Sequence, residues 1–572
     1  MFYKGMDISF LPQCEAEGMQ IKDFDGTIME PFALIEKYGV NAVRLRIWHT
    51  PENIKYSGGY CNLAHTIAMA KRIKEHGMAF MLDFHYSDFW ADPGHQVKPK
   101  AWEAFSLEEL QEAVFYYTRD TLLELKKQDV MPDIVQIGNE IRSGLLFPEG
   151  ELPDYEGMVK LVNAGIDGAR AVKDPNLKIM IHLDQGGRYF YLKEWFENSF
   201  RNGLKDFDLI GLSYYPFWHG TYSDLKGTME RLIQDYHKPI MIVETAHAWR
   251  KCEGGFIDEI QEKIAGFPAN PQGQRQVLEL VSSILASLPD NMGQGIFYWE
   301  PLCVPNSSAG GWASNMGILD EEGKVMEAIR AFTFDSEKVD KEKWVKIYEP
   351  QAITAQVGQS VTLPETVSVL LADGNIREEQ VIWQEGNSVA CEEMGSRMIE
   401  GYVGEDKHPV QMEIRTEDAL EAGANLVADP NWDEGMSRWQ VESSGDEVIA
   451  QLFPEFVDPY PAPPLNALRV ECARHFRYQI SQQVTLAEAG RYCLQAQFQG
   501  TDTTGVDVRL FARQGEKRRE LLMHLTEHGF EVGRIEDLDL VEGTVTIGVR
   551  IDASPMYGMV RRFSLVRTSD SE

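Results

Sequence analysis

The chain has 572 residues, enough for two to four domains, with apolar and charged fractions of 43% and 25% that are ordinary for a soluble globular protein. Its 89 acidic residues against 55 basic ones give a formal net charge of -34, which argues against binding nucleic acid or an anionic membrane surface and suits a neutral substrate, or simply good solubility. The seven cysteines are scattered, odd in number and never in a C-x-x-C pair, so neither a zinc site nor a disulfide framework is expected.

The N-terminus, MFYKGMDISF, has no basic segment leading into an apolar one, and no stretch is long and apolar enough to span a bilayer. The expectation is a cytoplasmic protein, or a secreted one whose signal has been removed. From Lys4 to about Phe334, short apolar runs alternate with helix-like segments. The candidate strands are Gly5 to Ile8, Ala42 to Ile47, Ala79 to Phe84, Ile134 to Ile137, Lys178 to Leu183, Leu209 to Leu212, Ile240 to Val243 and Gly295 to Tyr298. Between the second and third, Ile67 to Ile73 is apolar every three residues, with Gly77 placed to stop a helix. Eight βα repeats in some 330 residues match the size of a (β/α)₈ TIM barrel. The rival is a doubly wound open sheet. Polar and aromatic residues follow nearly every strand, which a ring of strand ends explains better than a single switch point.

Those strand ends carry most of the functional information. The second ends in Arg44, Arg46, Trp48 and His49; the third in Asp83, His85, Tyr86, Asp88 and Trp90; the fifth in His182 and Asp184. The sixth gives Ser213, Tyr214, Tyr215, Phe217, Trp218 and His219, and the eighth Trp299 and Glu300. Aromatic rings pack on the flat C–H face of a pyranose, while short polar side chains bind its hydroxyls. The candidate sugar-binding set is Arg46, Asp83, His85, Tyr86, Asp88, Trp90, Asn139, Asp184, Tyr214, Tyr215 and Trp299.

Two glutamates stand apart. Glu140 closes the run IVQIGNE, and Glu244 closes Ile240 to Val243. If the barrel forms, the fourth and seventh strands put them on opposite sides of one mouth. Carboxyls about 5–5.5 Å apart make a retaining glycosidase, and a wider gap makes an inverting one. One must keep its proton at neutral pH for the leaving oxygen, and the charge on the other helps it do so. The Asn139 amide can bond a hydroxyl near the reacting carbon. Alone, a glutamate at the end of an apolar strand is more often a structural or solvated carboxylate; the pair, with aromatics on the other strand ends, favours catalysis over that reading.

His85, His182, His219 and His247 fall in no metal-ligand spacing, so no metal and no cofactor is expected. Arg44 and Arg46 alternate along one strand and point to one face. Buried there, they need carboxylates, either to hold a catalytic glutamate or as a structural ion pair. Trp90, Trp299 and Tyr215 are stacking platforms or core.

Beyond Phe334 the texture changes. Asp335 to Lys343 is charged and reads as a linker. From Val345 to Thr416 the runs are short and β-rich, with Ile353 to Val357, Ser360 to Pro364 and Val381 to Trp383 separated by turns such as Ala372 to Gly374. An acidic break, Glu417 to Gly423, leads to a strand-rich segment from Asn425 to Arg567. Its candidate strands include Tyr478 to Ile480, Tyr492 to Phe498, Val506 to Leu510 and Thr544 to Ile551. The reading is a multidomain chain: a barrel at 1–337, a small β-sandwich at 344–417 and a jelly-roll β-sandwich at 424–568.

KGMDIS, GVNAVRLRIW, GGYCNLAHTIAMAKRIKEHGM, DFHYSDFWADPGHQVKPKAW, PDIVQIGNEIRSGLLFPEG, DFDLIGLSYYPFWHGT, KPIMIVETAHAW and GIFYWEP occur in that order across the first segment. Together they resemble glycoside hydrolase family 53, the arabinogalactan endo-β-1,4-galactanases of clan A. The resemblance implies a retaining (β/α)₈ enzyme that cuts internal β-1,4 bonds of galactan side chains in pectin. Glu140 matches the family's acid/base and Glu244 its nucleophile. Where many relatives read ETAYPW this chain has ETAHAW, which implies that His247 and Ala248 alter one wall of the site. Some relatives bind calcium after the seventh strand; the loop Arg250 to Gln272 lacks their spaced ligands, so calcium is not carried over. The middle segment resembles bacterial Ig-like domains, which act as spacers. The last resembles carbohydrate-binding modules of galactose-binding-like fold. It departs from them at Tyr557 to Phe563, and for Trp439, Phe476 and Tyr478 core packing is expected rather than ligand stacking. The expected partner is a β-1,4-galactan. Alternatives are a clan-related enzyme on another β-linked glycan, such as mannan, and a non-catalytic glycan-binding protein.

Overall fold

Alternation along eight strands decides what fills the centre of the first unit. In the computed structural model these are β1 (Tyr3–Asp7), β2 (Ala42–Ile47), β3 (Ala79–Phe84), β4 (Ile134–Ile137), β5 (Lys178–Leu183), β6 (Leu209–Ser213), β7 (Ile240–Thr245) and β8 (Gly293–Trp299). They pair in parallel in the order β1-β8-β7-β6-β5-β4-β3-β2 and close into a barrel. The structure describes residues 2–252, 255–257, 259–305, 307, 310–350, 353–356, 358, 360–393, 395–417, 425–430, 432, 435–443, 449–455, 465–472, 475–500, 506–525, 530–553 and 556–568.

The lower barrel is apolar. Ala42, Met81, Ile134, Met180, Leu209, Met241, Val243 and Phe297 pack together there, each at most 1% exposed. Strand β1 packs the partly buried Tyr3 against this layer and sets Gly5 opposite Phe297. The Phe297 ring fills the space there so closely that a Cβ on Gly5 would lie 2.2 Å from its Cδ1. Three methionines in the layer fit their flexible chains to an irregular gap.

Helices return the chain between strands. Leu63–Glu75 starts where the Asn62 side chain accepts from the His65 N–H at 3.0 Å, and stops at His76 before Gly77, whose φ is +65°. Leu107–Lys127 starts on a reciprocal Ser106–Glu109 capping box. Four of the eight expected strands coincide with those observed. The first begins earlier, because its ladder with β8 starts at Tyr3 opposite Gly295. The seventh runs on through Glu244 to Thr245, so the glutamate lies within the strand rather than beyond it.

The chain divides into two compact units, 1–345 with 371–375, and 346–370 with 376–572. Residues 344–417 form a six-stranded sheet and a two-stranded one. Beyond them lie two five-stranded antiparallel sheets, between Gln440 and Thr568. Their core takes in Trp439, Phe476 and Tyr478, none more than 6% exposed, so these three are packing residues. Val357, residues 418–423 of the acidic break, and positions 431, 433 and 434 lie outside the described residues.

Candidate active site

Above the apolar layer the inward positions become polar. Arg44 on β2 sits at the centre, 1% exposed. Its Nε donates to Gln136 Oε1 at 2.7 Å, Nη1 to Asp7 Oδ2 at 2.7 Å, and Nη2 to Asp83 Oδ2 at 2.9 Å and Asn139 Oδ1 at 2.8 Å. Nη1 also lies 3.0 Å from Glu244 Oε1. Four hydrogen bonds and the ion pair with Glu244 thus surround the guanidinium, which is what a buried arginine needs to offset its lost hydration.

Glu244 reaches this layer through a bulge in β7. Leu212 and Ser213, consecutive on β6, pair with Ile242 and Glu244, which skips Val243. Val243 joins the apolar layer beside Met241, and simple alternation would turn Glu244 out of the barrel. The extra residue re-aims it. Its Oε2 accepts from the Tyr215 hydroxyl at 3.2 Å.

Glu140 follows β4 after a sharp turn. Gly138 has φ +85°, where a Cβ would strike Ile141 Cγ2 at 2.5 Å, and Glu140 itself sits at φ 49°. A left-handed non-glycine costs of order 1–3 kcal/mol and is sustained by its surroundings. Here the Ser213 hydroxyl donates to Glu140 Oε1 at 2.6 Å. Ser213 is also the register partner of Glu244, so one side chain ties the fourth-strand glutamate to the seventh strand.

Both glutamates line one cavity of about 630 Å³. Burial pushes the Glu140 carboxyl well above the ordinary carboxylate range, and the charges of Glu244 and Asp184 push it further, against the pull of Ser213. Burial raises Glu244 to about 7, and the Arg44 cation opposes the rise. The Arg44 cation favours an ionised Glu244, whereas the carboxylates around Glu140 favour its protonated form. A protonated acid facing an arginine-held carboxylate across one cavity can split a glycosidic bond.

Of the eleven sugar-binding candidates, His85, Trp90, Asn139, Asp184, Tyr215 and Trp299 line this cavity. The other five lie outside its wall, with Asp88 bordering a neighbouring cavity. Asp83 is fully buried between Arg44 and His85 Nε2, at 2.9 and 3.0 Å. Arg46 pairs with Glu300 beneath the rings of Phe10 and Trp90, 4.5 and 4.2 Å from their centroids. Tyr86 turns away from the mouth to bond Thr118 at 2.7 Å, and Tyr214 donates to the Gly220 carbonyl at 3.0 Å. Asp88 accepts from the backbone N–H groups of Thr50 and Lys100, both at 2.8 Å, and so pins two loops. His247 and Ala248 are likewise buried outside the wall rather than altering it; His247 Nε2 lies 3.2 Å from the Phe267 and Pro268 carbonyls.

The wall also holds residues outside the candidate set. From Trp90 an arc of rings runs through Trp299, Trp312 and Tyr215 to Trp218, with centroids 5.7, 4.5, 5.9 and 5.5 Å apart in turn, and Phe256 packs 5.1 Å from Trp312. Trp312 belongs to the short helix Gly311–Asn315, the element that follows β8. A second cavity of about 800 Å³ adjoins the first, shares Trp90 and Asp92 with it, and is walled by Phe89 and Phe147 among others. Among the described residues, no group of three or more His, Cys, Asp or Glu is arranged to hold a metal ion.

Comparison with known proteins agrees with this geometry. An arabinogalactan endo-β-1,4-galactanase of Cellvibrio japonicus is 35% identical over 351 residues, spanning 58% of this chain and 90% of the relative. Another from Thermothelomyces thermophilus is 33% identical over 336 residues, spanning 58% of this chain and 98% of the relative. The solved GH53 catalytic domain of Ignisphaera aggregans is 33% identical with a TM-score of 0.55, covering 58% of this chain and 95% of that domain. Residues 348–405 match the bacterial Ig-like domain (group 4). The profile of glycosyl hydrolase family 53 matches residues 3–332, more than half of the chain, and the chain belongs to that family.

Proposed function

We propose that the chain is an endo-acting, retaining glycoside hydrolase that cleaves β-1,4-galactosidic bonds of galactan. The observation that carries this is the unequal carboxyl pair: Glu140 and Glu244 border one cavity, with Arg44 beside only one of them. Glu140 protonates the leaving glycosidic oxygen while Glu244 attacks the anomeric carbon and forms a covalent glycosyl-enzyme. Glu140, now a carboxylate, then takes a proton from water, which releases the sugar and restores both groups. The arc of aromatic rings suits pyranose faces. Two neighbouring cavities that share Trp90 and Asp92 in their walls suit a polymer that extends past the cleavage point. The substrate follows from the relatives, two of which carry the name arabinogalactan endo-β-1,4-galactanase.

Reducing-end release on linear galactan, mannan and cellulose tests the substrate, with galactan expected to be cut far faster. An early spread of oligomer lengths is expected, and a single short product from the start contradicts internal cutting. Glu140→Ala and Glu244→Ala should each lower turnover on galactan by several orders of magnitude; near-normal turnover by either removes the assignment.

A further inference from the structure

The directions of four buried hydrogen bonds are fixed one by one, starting from Arg44. A guanidinium only donates, so the Gln136 group facing its Nε at 2.7 Å is the amide oxygen. The Gln136 amide nitrogen then faces His182 Nδ1 at 3.0 Å, and the Glu140 backbone N–H approaches the same atom at 3.4 Å. Two donors converge on Nδ1. Asn139 Oδ1 lies 3.1 Å from it and accepts from Arg44 at 2.8 Å; its second lone pair could take a proton from Nδ1, but that proton would point against both converging N–H groups. The imidazole is kept neutral by burial and by the Arg44 cation, so its one proton is on Nε2. That nitrogen stands 2.9 Å from Ser213 Oγ, which must accept and turn its own hydrogen to Glu140 Oε1 at 2.6 Å.

We propose that Ser213, oriented by His182, is a positioning residue that holds Oε1 of Glu140 as a hydrogen-bond acceptor and so makes Oε2 the atom that carries the transferred proton. Left to rotate, a protonated carboxyl places its hydrogen on either oxygen. With Oε1 occupied by a donor, the hydrogen resides on Oε2. In the first step that proton passes from Oε2 to the leaving oxygen and Glu140 becomes a carboxylate. The Ser213 and His182 protons do not move; the Ser213 bond simply strengthens as Oε1 gains charge. In the second step Oε2 takes a proton from the attacking water. Neither Ser213 nor His182 touches the reacting atoms.

The inference rests on Glu140 being the acid of the proposed reaction, and its signature is in the pH profile. The charged or titratable groups around Glu140 are Glu244 on β7, Tyr215 after β6, Asp184 after β5, Asp92 in the loop after β3, and Arg142 in the turn that follows Glu140. Arg44 and His85 act on His182, and His219 Nδ1 lies 3.0 Å from the Ser213 carbonyl. None of these changes when the Ser213 hydroxyl is removed. A donor to the ionised form lowers an acid's pKa, so without it Glu140 stays protonated to higher pH.

The full chain as Ser213→Ala should show the basic limb of kcat/KM on galactan moved up by about one pH unit, with the acid limb in place. Ser213→Thr, which keeps a hydroxyl donor, should restore the limb. Ser213→Cys keeps the side-chain shape with a larger sulfur and only a weak donor, and it decides the matter if the alanine variant does not fold; its limb should also move up. A basic limb at the wild-type position in these variants, whatever the fall in kcat, overturns the proposal. Glu140→Ala, measured alongside, separates the two ideas. If it costs little activity the assignment of Glu140 fails; if it costs several orders of magnitude while the Ser213 variants keep the wild-type limb, only the positioning role fails.

Discussion

Arg44 Nη1 stands between Asp7 Oδ2 at 2.7 Å and Glu244 Oε1 at 3.0 Å, so the residue that stabilises the barrel interior is also the one that charges the site. Arg44→Met would leave Asp83 and Glu244 without the arginine between them, and Asp7 with only Arg46 at 3.8 Å. Removing one partner of a buried ionic cluster costs about 3–5 kcal/mol. The expected result is an unfolding free energy lowered by that amount, read from denaturant titration, and an acid limb of kcat/KM moved to higher pH, because the group that opposes the rise of Glu244 is gone. Arg44→Lys should fail almost as badly, since an ammonium offers three hydrogens to five acceptors. Wild-type stability in both variants would contradict the description of the cluster.

The Tyr215 hydroxyl donates to Glu244 Oε2 at 3.2 Å and favours its ionised form. A hydrogen bond to a charged group contributes about 1.5–3 kcal/mol in favourable geometry, and one pKa unit corresponds to about 1.4 kcal/mol. Tyr215→Phe should therefore raise the acid limb by about one pH unit and leave the basic limb where it is. Ser213→Ala should do the reverse. Movement of the same limb in both variants would mean that the two carboxyls do not divide the roles as assigned.

Much of the site was legible in the letters because strand ends announce themselves. An apolar run that stops at Asn-Glu, or at a lone Glu, placed Glu140 and Glu244 on the right strands. Period-two alternation told that Arg44 and Arg46 share a face. Depth was not legible. Arg46 and Asp83 point inward like their neighbours, but one lies under the Phe10 and Trp90 rings and the other between Arg44 and His85. Tyr86 and Tyr214 each stand next to a candidate that reaches the mouth, and one position along a strand end turns a side chain to the other side. The β7 bulge was also hidden, because pairing register is set by neighbouring strands that the local sequence does not name. Trp312 was missed because its approach to Trp299, 4.5 Å between centroids, is made by a loop after the eighth strand.

Trp299 tests the aromatic arc. It lies between Trp90 and Trp312 on the cavity wall and has no hydrogen-bonding role toward either glutamate. Covering such a ring with a sugar face removes apolar surface from water, an effect of about 1.5–3 kcal/mol for a large side chain. Trp299→Ala should raise KM on galactan by about tenfold or more while the pH limbs stay in place. An unchanged KM would show that the substrate does not run along this part of the wall.

The barrel floor offers a separate test of the packing below the site. Gly5 is the β1 residue opposite Phe297, and a Cβ there would fall 2.2 Å from the ring. Its role is space rather than backbone freedom. Gly5→Ala should destabilise the protein by about 1–3 kcal/mol through overpacking, read as a lower denaturation midpoint. Phe297→Leu alone should also destabilise, by leaving a void. Combined, the two should cost less than the sum of the single effects, because the smaller side chain makes room for the added methyl group. Strict additivity would place the Gly5 effect elsewhere than in its contact with Phe297.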